Sequence, residues 1–405
     1  MPGVRYISQK LFEDEKGSSG KGKSGRVASL GLLAVAISTF AILSSWAVLK
    51  GFQQAIRQKV EGFAGQILVE PLPAAKQEGL PLTLTPELKE KLLGNPGVAS
   101  LSCVCLKPAM IRAGNTSEGV VVKGLNASKD WSFFRTHLLD SLPKTSTQNG
   151  VWISKSLANR LQVQLGSSLK VYVLLQHPKV RKLKINGLYE TGLEEFDRQF
   201  VLTDAAFLQR LAGWTPNQFS TLQIAGTPTM PHTDLAEELF PQLPLDWSMQ
   251  TVEEAFPQLF DWLRLQDVNV WIILALMLLV AVVNLATIFL VRVIEKSPTI
   301  GVLQVLGAPQ RTLRGIFSWQ SLKLSLRGLV WGNALFLLLY ASQVQWHWIP
   351  LDQASYYVSY VPMWLPFPVW GLLNIGILLV SNLSMRLPAR VLRKQQPLRN
   401  LSFRT

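Results

Sequence analysis

One stretch of this chain matches a known phosphate-binding device by residue type and spacing. Gly17, Gly22, Lys23 and Ser24 satisfy GxxxxGK[ST], in which backbone N–H groups and a lysine cradle nucleotide phosphates. The device works between a buried strand and a helix N-terminus, with a downstream acidic residue to hold magnesium. Here FEDEKGSSG precedes the match and a long apolar run follows it. Such a setting reads as a flexible Gly/Ser connector, so any nucleotide is expected on a partner. The other chemistry is sparse. Cys103 and Cys105 share one face if ASLSCVCL is a strand, with no nearby Cys or His cluster to complete a metal site. They read as small buried hydrophobes. His137, His177, His232 and His347 are scattered, and no Ser/His/Asp grouping or paired carboxylates emerge. The expectation is no catalytic residue, no metal and no cofactor bound by this chain, and no enzyme acting alone.

Four uncharged apolar runs dominate instead: Val27 to Leu49, Val268 to Val291, Gly328 to Leu351 and Tyr356 to Met385. Each supplies the roughly 20 residues a helix needs to cross about 30 Å of hydrocarbon. Residues 1–26, 292–327 and 386–405 together carry 18 basic side chains against four acidic ones, which is the entire net charge of +14. Lys and Arg near span ends are retained on the cytoplasmic side, so both termini and the 292–327 loop are expected there. The basic pI reports topology and not nucleic-acid binding. Trp46, Trp262, Trp271, Trp346, Trp348, Trp364 and Trp370 fall near the expected outer span ends, where indoles favour the headgroup layer. Val4, Ile7, Leu11 and Phe12 recur at helical spacing, suggesting a short interfacial helix.

The segment between the first two runs is long enough for its own core. GFQQAIRQKVEGFAG reads as an amphipathic helix with Phe52, Ile56, Val60 and Phe63 on one face, and QILVEPL as a strand. TPELKEKLLGNPG reads as a helix capped by Thr85, and ISKSLANRLQV as one capped by Ser154. Strands are expected in VASLSCVCLKPAMIRAG, SEGVVVKGLN, SLKVYVLLQ, RKLKINGLYE and RQFVLT, and DAAFLQRLAGW is read as the closing helix. The expected fold is a membrane protein of four transmembrane helices with a large α+β periplasmic domain inserted between helices 1 and 2. Its parts are a cytoplasmic segment 1–26, helix 27–49, periplasmic domain 50–267, helix 268–291, cytoplasmic loop 292–327, helix 328–348, periplasmic loop 349–364, helix 365–385 and cytoplasmic tail 386–405.

At this level a family resemblance enters. EKSPTIGVLQVLGAPQRTLRGIFSWQ, Glu295 to Gln320, resembles the loop of the FtsX-like ABC permease superfamily, which includes MacB-type permeases. SSWAVLKGFQQAIRQKV, KINGLYETGLEEFD, IPLDQASYYVSYVP and LPARVLRKQQPLRNL are similar to segments of lipoprotein-releasing (Lol) ABC permeases, in the same order. The resemblance implies a transport subunit in a bacterial inner membrane. It would pair with a second permease, identical or related, dock ABC ATPase subunits that bind ATP and magnesium, and release lipoproteins from membrane lipid to a periplasmic lipoprotein carrier. The ATPase-coupling residues would be Glu295, Thr299, Ile300, Gly301, Leu303, Leu306 and Gly307. The lipid-substrate groove would take Phe40, Leu43, Trp46, Val48 and Phe52 from the first span and Val270, Ile272, Ile273 and Leu276 from the second. The long hook loop of the carrier-recruiting Lol subunit is reduced here to about His177 to Arg181, so no carrier-binding residue is carried over. The alternative within the superfamily is a mechanotransmitting FtsX/MacB-type permease driving efflux or a cell-wall hydrolase.

Overall fold

The computed structural model describes residues 23–126, 130–139, 150–175, 177–228, 230–295, 301–303 and 305–384. The P-loop-like glycines Gly17 and Gly22, the N-terminal interfacial helix and the LPARVLRKQQPLRNL tail lie outside them. In chain order the elements used below are α1 (Lys23–Ala64), β1 (Ile67–Pro71), β2 (Leu82–Thr83), α2 (Pro86–Leu93), β3 (Val98–Ala113), β4 (Thr116–Leu125), β5 (Gly150–Ser154), α3 (Lys155–Leu161), β6 (Ser168–Val173), β7 (Lys179–Tyr189), β8 (Phe200–Asp204), α4 (Ala205–Ala212), β9 (Gln218–Phe219), β10 (Thr221–Gly226), α5 (His232–Leu239), β11 (Trp247–Thr251), α6 (Pro257–Glu295), α7 (Gln310–Trp346) and α8 (Phe367–Ser384).

The described residues fall into two compact units: those within Gln54–Trp262 and Leu351–Tyr360 form one, and the other described residues form the second. The first is α+β. Its helices start where side chains satisfy orphan amides: Thr85 Oγ1 accepts from Leu88 N at 3.3 Å, Ser154 Oγ from Leu157 N at 3.0 Å, and Asp204 Oδ1 from Ala206 N at 2.9 Å. Gly213, at φ +74°, ends α4 in the left-handed region.

The strands order β11-β1-β10-β3-β4-β8-β5-β7-β6, and β6 also pairs with β3. That last pairing closes β3, β4, β8, β5, β7 and β6 into a six-stranded barrel. The 16-residue β3 therefore serves twice: Val98 to Val104 pairs with β10, and Cys105 to Ala113 pairs with β4. One apolar core runs through both parts, from Ile67, Leu222 and Ile224 on the open side to Val122, Ile153, Leu183 and Val201 in the barrel. Cys105 is buried in it and Cys103 packs against it. Both are free thiols, which desolvation pushes up to about 12 and about 11 respectively, so they serve as packing groups.

Three sequence expectations are corrected here. DAAFLQRLAGW does not close the domain, because β10 and β11 follow it and enter the sheet on either side of β1. The β6–β7 connection is residues 174–178 and not 177–181, because β7 already begins at Lys179. Residues 351–360, expected simply as part of a loop between spans, belong to the α+β unit.

In the second unit, α1, α6 and α7 each contain a stretch long and apolar enough to cross a membrane, and α8 carries a shorter one, Phe367–Leu383. The helices outrun the apolar runs: α6 spans Pro257–Glu295 around the expected 268–291. Gly328 and Gly332 of α7, spaced GxxxG, receive α1. A Cβ on Gly328 would fall 2.5 Å from Val35 Cβ, and one on Gly332 2.6 Å from Thr39 Cβ. Small residues at that spacing let two helix backbones approach within a membrane. Between α7 and α8, Asn333 Nδ2 donates to Asn374 Oδ1 at 2.6 Å, and Trp370 Nε1 donates to Asn333 Oδ1 at 2.8 Å.

Candidate functional site

The two apolar runs expected to form a groove are held together at one end by charge. Lys50 and Asp267 are the charged residues that bound the first two uncharged runs, and they form an ion pair at 3.0 Å. Lys50 Nζ also donates to Gln53 Oε1 at 2.8 Å, and Gln53 Nε2 donates to the Leu263 carbonyl at 3.2 Å. Below that latch Trp46 meets Trp271 edge to face, with ring centroids 5.7 Å apart, in the geometry aromatic quadrupoles favour. Neither charge nor Trp271 was among the expected groove residues. Their signal was positional: opposite charges at matching ends of two apolar runs.

The structure then separates the groove residues by helical face. Trp46 and Val270 pack together around a cluster of Ile42, Leu274 and Ile377. Phe40 and Leu43 turn elsewhere: Leu43 is fully buried with Ala47 and Phe336 of α7, and Phe40 packs on that cluster. Val48 and Phe52 are half-buried. Ile272, Ile273 and Leu276 are 55%, 44% and 56% exposed. Positions 270, 274, 277 and 278 share one side of a 3.6-residue helix, which leaves 272, 273 and 276 around its circumference. Trp46 and Val270 are thus brought together, while Leu43 lies on a different interface from Ile272, Ile273 and Leu276. The exposed stripe of α6 continues through Leu279, Val280 and Val283.

Beyond Glu295, which ends α6, Thr299 and Ile300 lie outside the described residues. Gly301 and Leu303 are helical. The short helix stops at Gly307, whose φ is +83°, with Ala308 N donating to the Leu303 carbonyl at 2.9 Å. This is the Schellman arrangement that terminates helices. Val302, Val305 and Leu306 are left 52%, 67% and 76% exposed, so the loop presents apolar side chains outward.

In the α+β unit the tail of α1 supplies Lys59. Its ammonium donates to the carbonyls of Thr191 and Tyr357, each at 2.7 Å. Asp197 Oδ2 accepts from Thr191 N and Gly192 N, both at 3.1 Å, and its Oδ1 from Thr191 Oγ1 at 2.8 Å. Burial pushes Asp197 up to about 6 against these hydrogen bonds. The side chain of Lys123 reaches the Phe63 carbonyl near the end of α1, with its ammonium over the rings of Phe63 and Phe134 at 4.5 and 5.6 Å. Desolvation pushes that ammonium down to about 7.

Comparison with known proteins agrees with the resemblance read in the loop. Residues 271–397 match the FtsX-like permease C-terminal family. The chain is 23% identical over 403 residues to the lipoprotein-releasing system transmembrane protein LolC of Xylella fastidiosa, with 92% of each chain covered. It is 19% identical over 397 residues to the transmembrane protein LolE of the same system in Haemophilus influenzae, covering 93% of this chain and 94% of that one. The periplasmic region of MacB from Actinobacillus actinomycetemcomitans aligns with 49% of this chain and 95% of its own at 9% identity and a TM-score of 0.34.

Proposed function

We propose that this chain, a membrane permease subunit of ABC type with an FtsX-like C-terminal part, uses ATP hydrolysis by a partner to release lipoproteins from the bacterial inner membrane to a periplasmic carrier. The observation that carries the reading is similarity to lipoprotein-releasing permeases along 92% of the chain. The asymmetric basic charge supports cytoplasmic termini and a periplasmic α+β unit, with α8 as the fourth span. The exposed apolar residues Val302, Val305 and Leu306 support docking of the 301–307 helix on an ATPase that holds ATP and magnesium.

Energetics sets the task. At about 0.8 kcal/mol per methylene, an anchor with on the order of 45 methylenes would cost on the order of 35 kcal/mol to expose to water. The acyl chains must therefore slide from bilayer to an apolar protein face. The exposed stripe of α6 containing Ile272, Ile273 and Leu276 is that face in our reading, beside Trp46 and Val270, with a second permease copy or relative opposite.

The test is reconstitution of the chain with its ATPase and any related permease in proteoliposomes carrying a triacylated lipoprotein. ATP-dependent release to a soluble carrier is expected, with at least a tenfold loss in Leu303→Asp and Leu306→Asp. ATP turnover without release, where a known lipoprotein-releasing complex works, would overturn the proposal in favour of mechanotransmission.

A further inference from the structure

A cleft of about 870 Å³ opens in the α+β unit where β3 passes from β10 to β6. Ser220 marks the parting: its N donates to Val104 O at 3.0 Å, and its hydroxyl donates to Leu106 O at 2.9 Å. Two residues later Leu174 N has taken over, donating to Pro108 O at 2.9 Å. Between these contacts sits Lys107, in the wall of the cleft and only 8% exposed.

Among the described residues Lys107 has no ion pair and no hydrogen bond from its ammonium. The contact it makes is with the face of Trp214, at 3.9 Å from Nζ to the ring centroid. The other cations of the cleft are occupied: Lys76 pairs with Glu70, and Lys179 donates to the Leu211 carbonyl at 2.7 Å. An ammonium in the cleft wall with no anion beside it is an unmet charge, and partial burial holds this one below its ordinary range. Gly79 lies on the same side of the cleft, a Cβ there falling 3.9 Å from Nζ.

The cleft has a mixed lining: Leu80, Leu106, Leu174, Leu175 and Trp214 give it an apolar strip, while Glu70, held by Lys76, and Glu78 stand on its polar side. Pro71, Pro81 and Pro108 also line it, and prolines offer no N–H to a peptide ligand. One cation without an anion beside an apolar strip matches a ligand with a single anionic head and an apolar body.

We propose that the cleft at Lys107 and Trp214 binds an anionic amphiphile, a carboxylate or phosphate on an acyl chain, with the head at the Lys107 ammonium and the chain along Leu80, Leu106 and Leu174. The lining residues all belong to the α+β unit, and binding there is expected whether or not the chain releases lipoproteins.

The test is photoaffinity labelling of the full chain in nanodiscs with a diazirine-bearing octanoic acid, mapped by peptide mass spectrometry. Label is expected on peptides containing Leu106 and Trp214. Octanoate or octyl phosphate should displace it, the stronger competitor identifying the head group, and octanol should not. Lys107→Met should lower the labelling at least tenfold and Lys107→Arg should retain most of it. Leu80→Glu, at a half-exposed wall position, should also lower it at least tenfold without threatening the fold. Equal labelling by the neutral alcohol analogue, indifference to Lys107→Met and Leu80→Glu, label confined to the membrane helices, or displacement by an acidic peptide alone would each overturn the proposal.

Discussion

Lys59 donates to the carbonyl of Tyr357, 298 residues further along the chain, at 2.7 Å. Through the same ammonium it also holds Thr191 at 2.7 Å, so KINGLYETGLEEFD and IPLDQASYYVSYVP, two segments that carry the family resemblance, meet at one side chain. Removing it should free the 351–360 segment. Charge-assisted hydrogen bonds contribute about 1.5–3 kcal/mol each, so Lys59→Met is expected to speed amide hydrogen exchange in residues 353–360 by at least tenfold. Unchanged exchange would mean that the segment is held by other contacts.

The α1–α7 contact allows a sharper comparison. Gly332→Leu must displace Thr39 and Ala36, while a Cβ on Gly376 meets nothing within 4 Å. Overpacking costs about 1–3 kcal/mol, so Gly332→Leu should lower the unfolding midpoint in detergent and Gly376→Leu should leave it nearly unchanged. Equal effects would argue against close packing at the GxxxG pair.

Asn333, Asn374 and Trp370 form a polar knot between α7 and α8. Interhelical hydrogen bonds in membranes are worth about 0.6 kcal/mol on average and up to about 1.7. A double-mutant cycle of Asn333→Ala and Asn374→Ala should return a coupling energy in that range, and a value near zero would show the two amides to be independent.

Lys123 gives a pH signature. Its folded pKa is about 7 against an ordinary 10.5, so between those values the unfolded chain binds the extra proton. Stability of the α+β unit should therefore rise as pH increases through that window, by up to about 1.4 kcal/mol per unit. Denaturant midpoints followed by tryptophan fluorescence would test this. Lys123→Met should flatten the slope, and a slope unchanged in that variant would assign it to other groups.

The elements that could be read from sequence are those specified locally. Thr85 and Ser154 cap the helices their positions announced, and the strands ILVEP and RKLKINGLY show apolar residues at every second position, Ile67 and Val69 in the first and Leu183 and Ile185 in the second. What escaped depends on distant partners. TLQIAG and WSMQT are short and half polar, and they become strands because β1 lies between them. The groove residues escaped for a different reason: α6 is apolar on every side, so its sequence carries no period to tell an inward residue such as Leu274 from an outward one such as Ile273. The Lys50–Asp267 pair was visible as two charges flanking apolar runs, but only geometry joined them.

The inclusion of residues 351–360 in the α+β unit sets a timetable for biogenesis. Translation at roughly 5–20 residues per second places on the order of 5–20 s between the emergence of Trp262 and that of Leu351, during which α6 and α7 must be threaded and settled. Throughout that delay the ammonium of Lys59 and the turn at Gly192 wait without Tyr357 and Gln353. A nascent chain halted before residue 351 would present the rest of this unit with that seat vacant, a natural foothold for a folding chaperone or a quality-control protease.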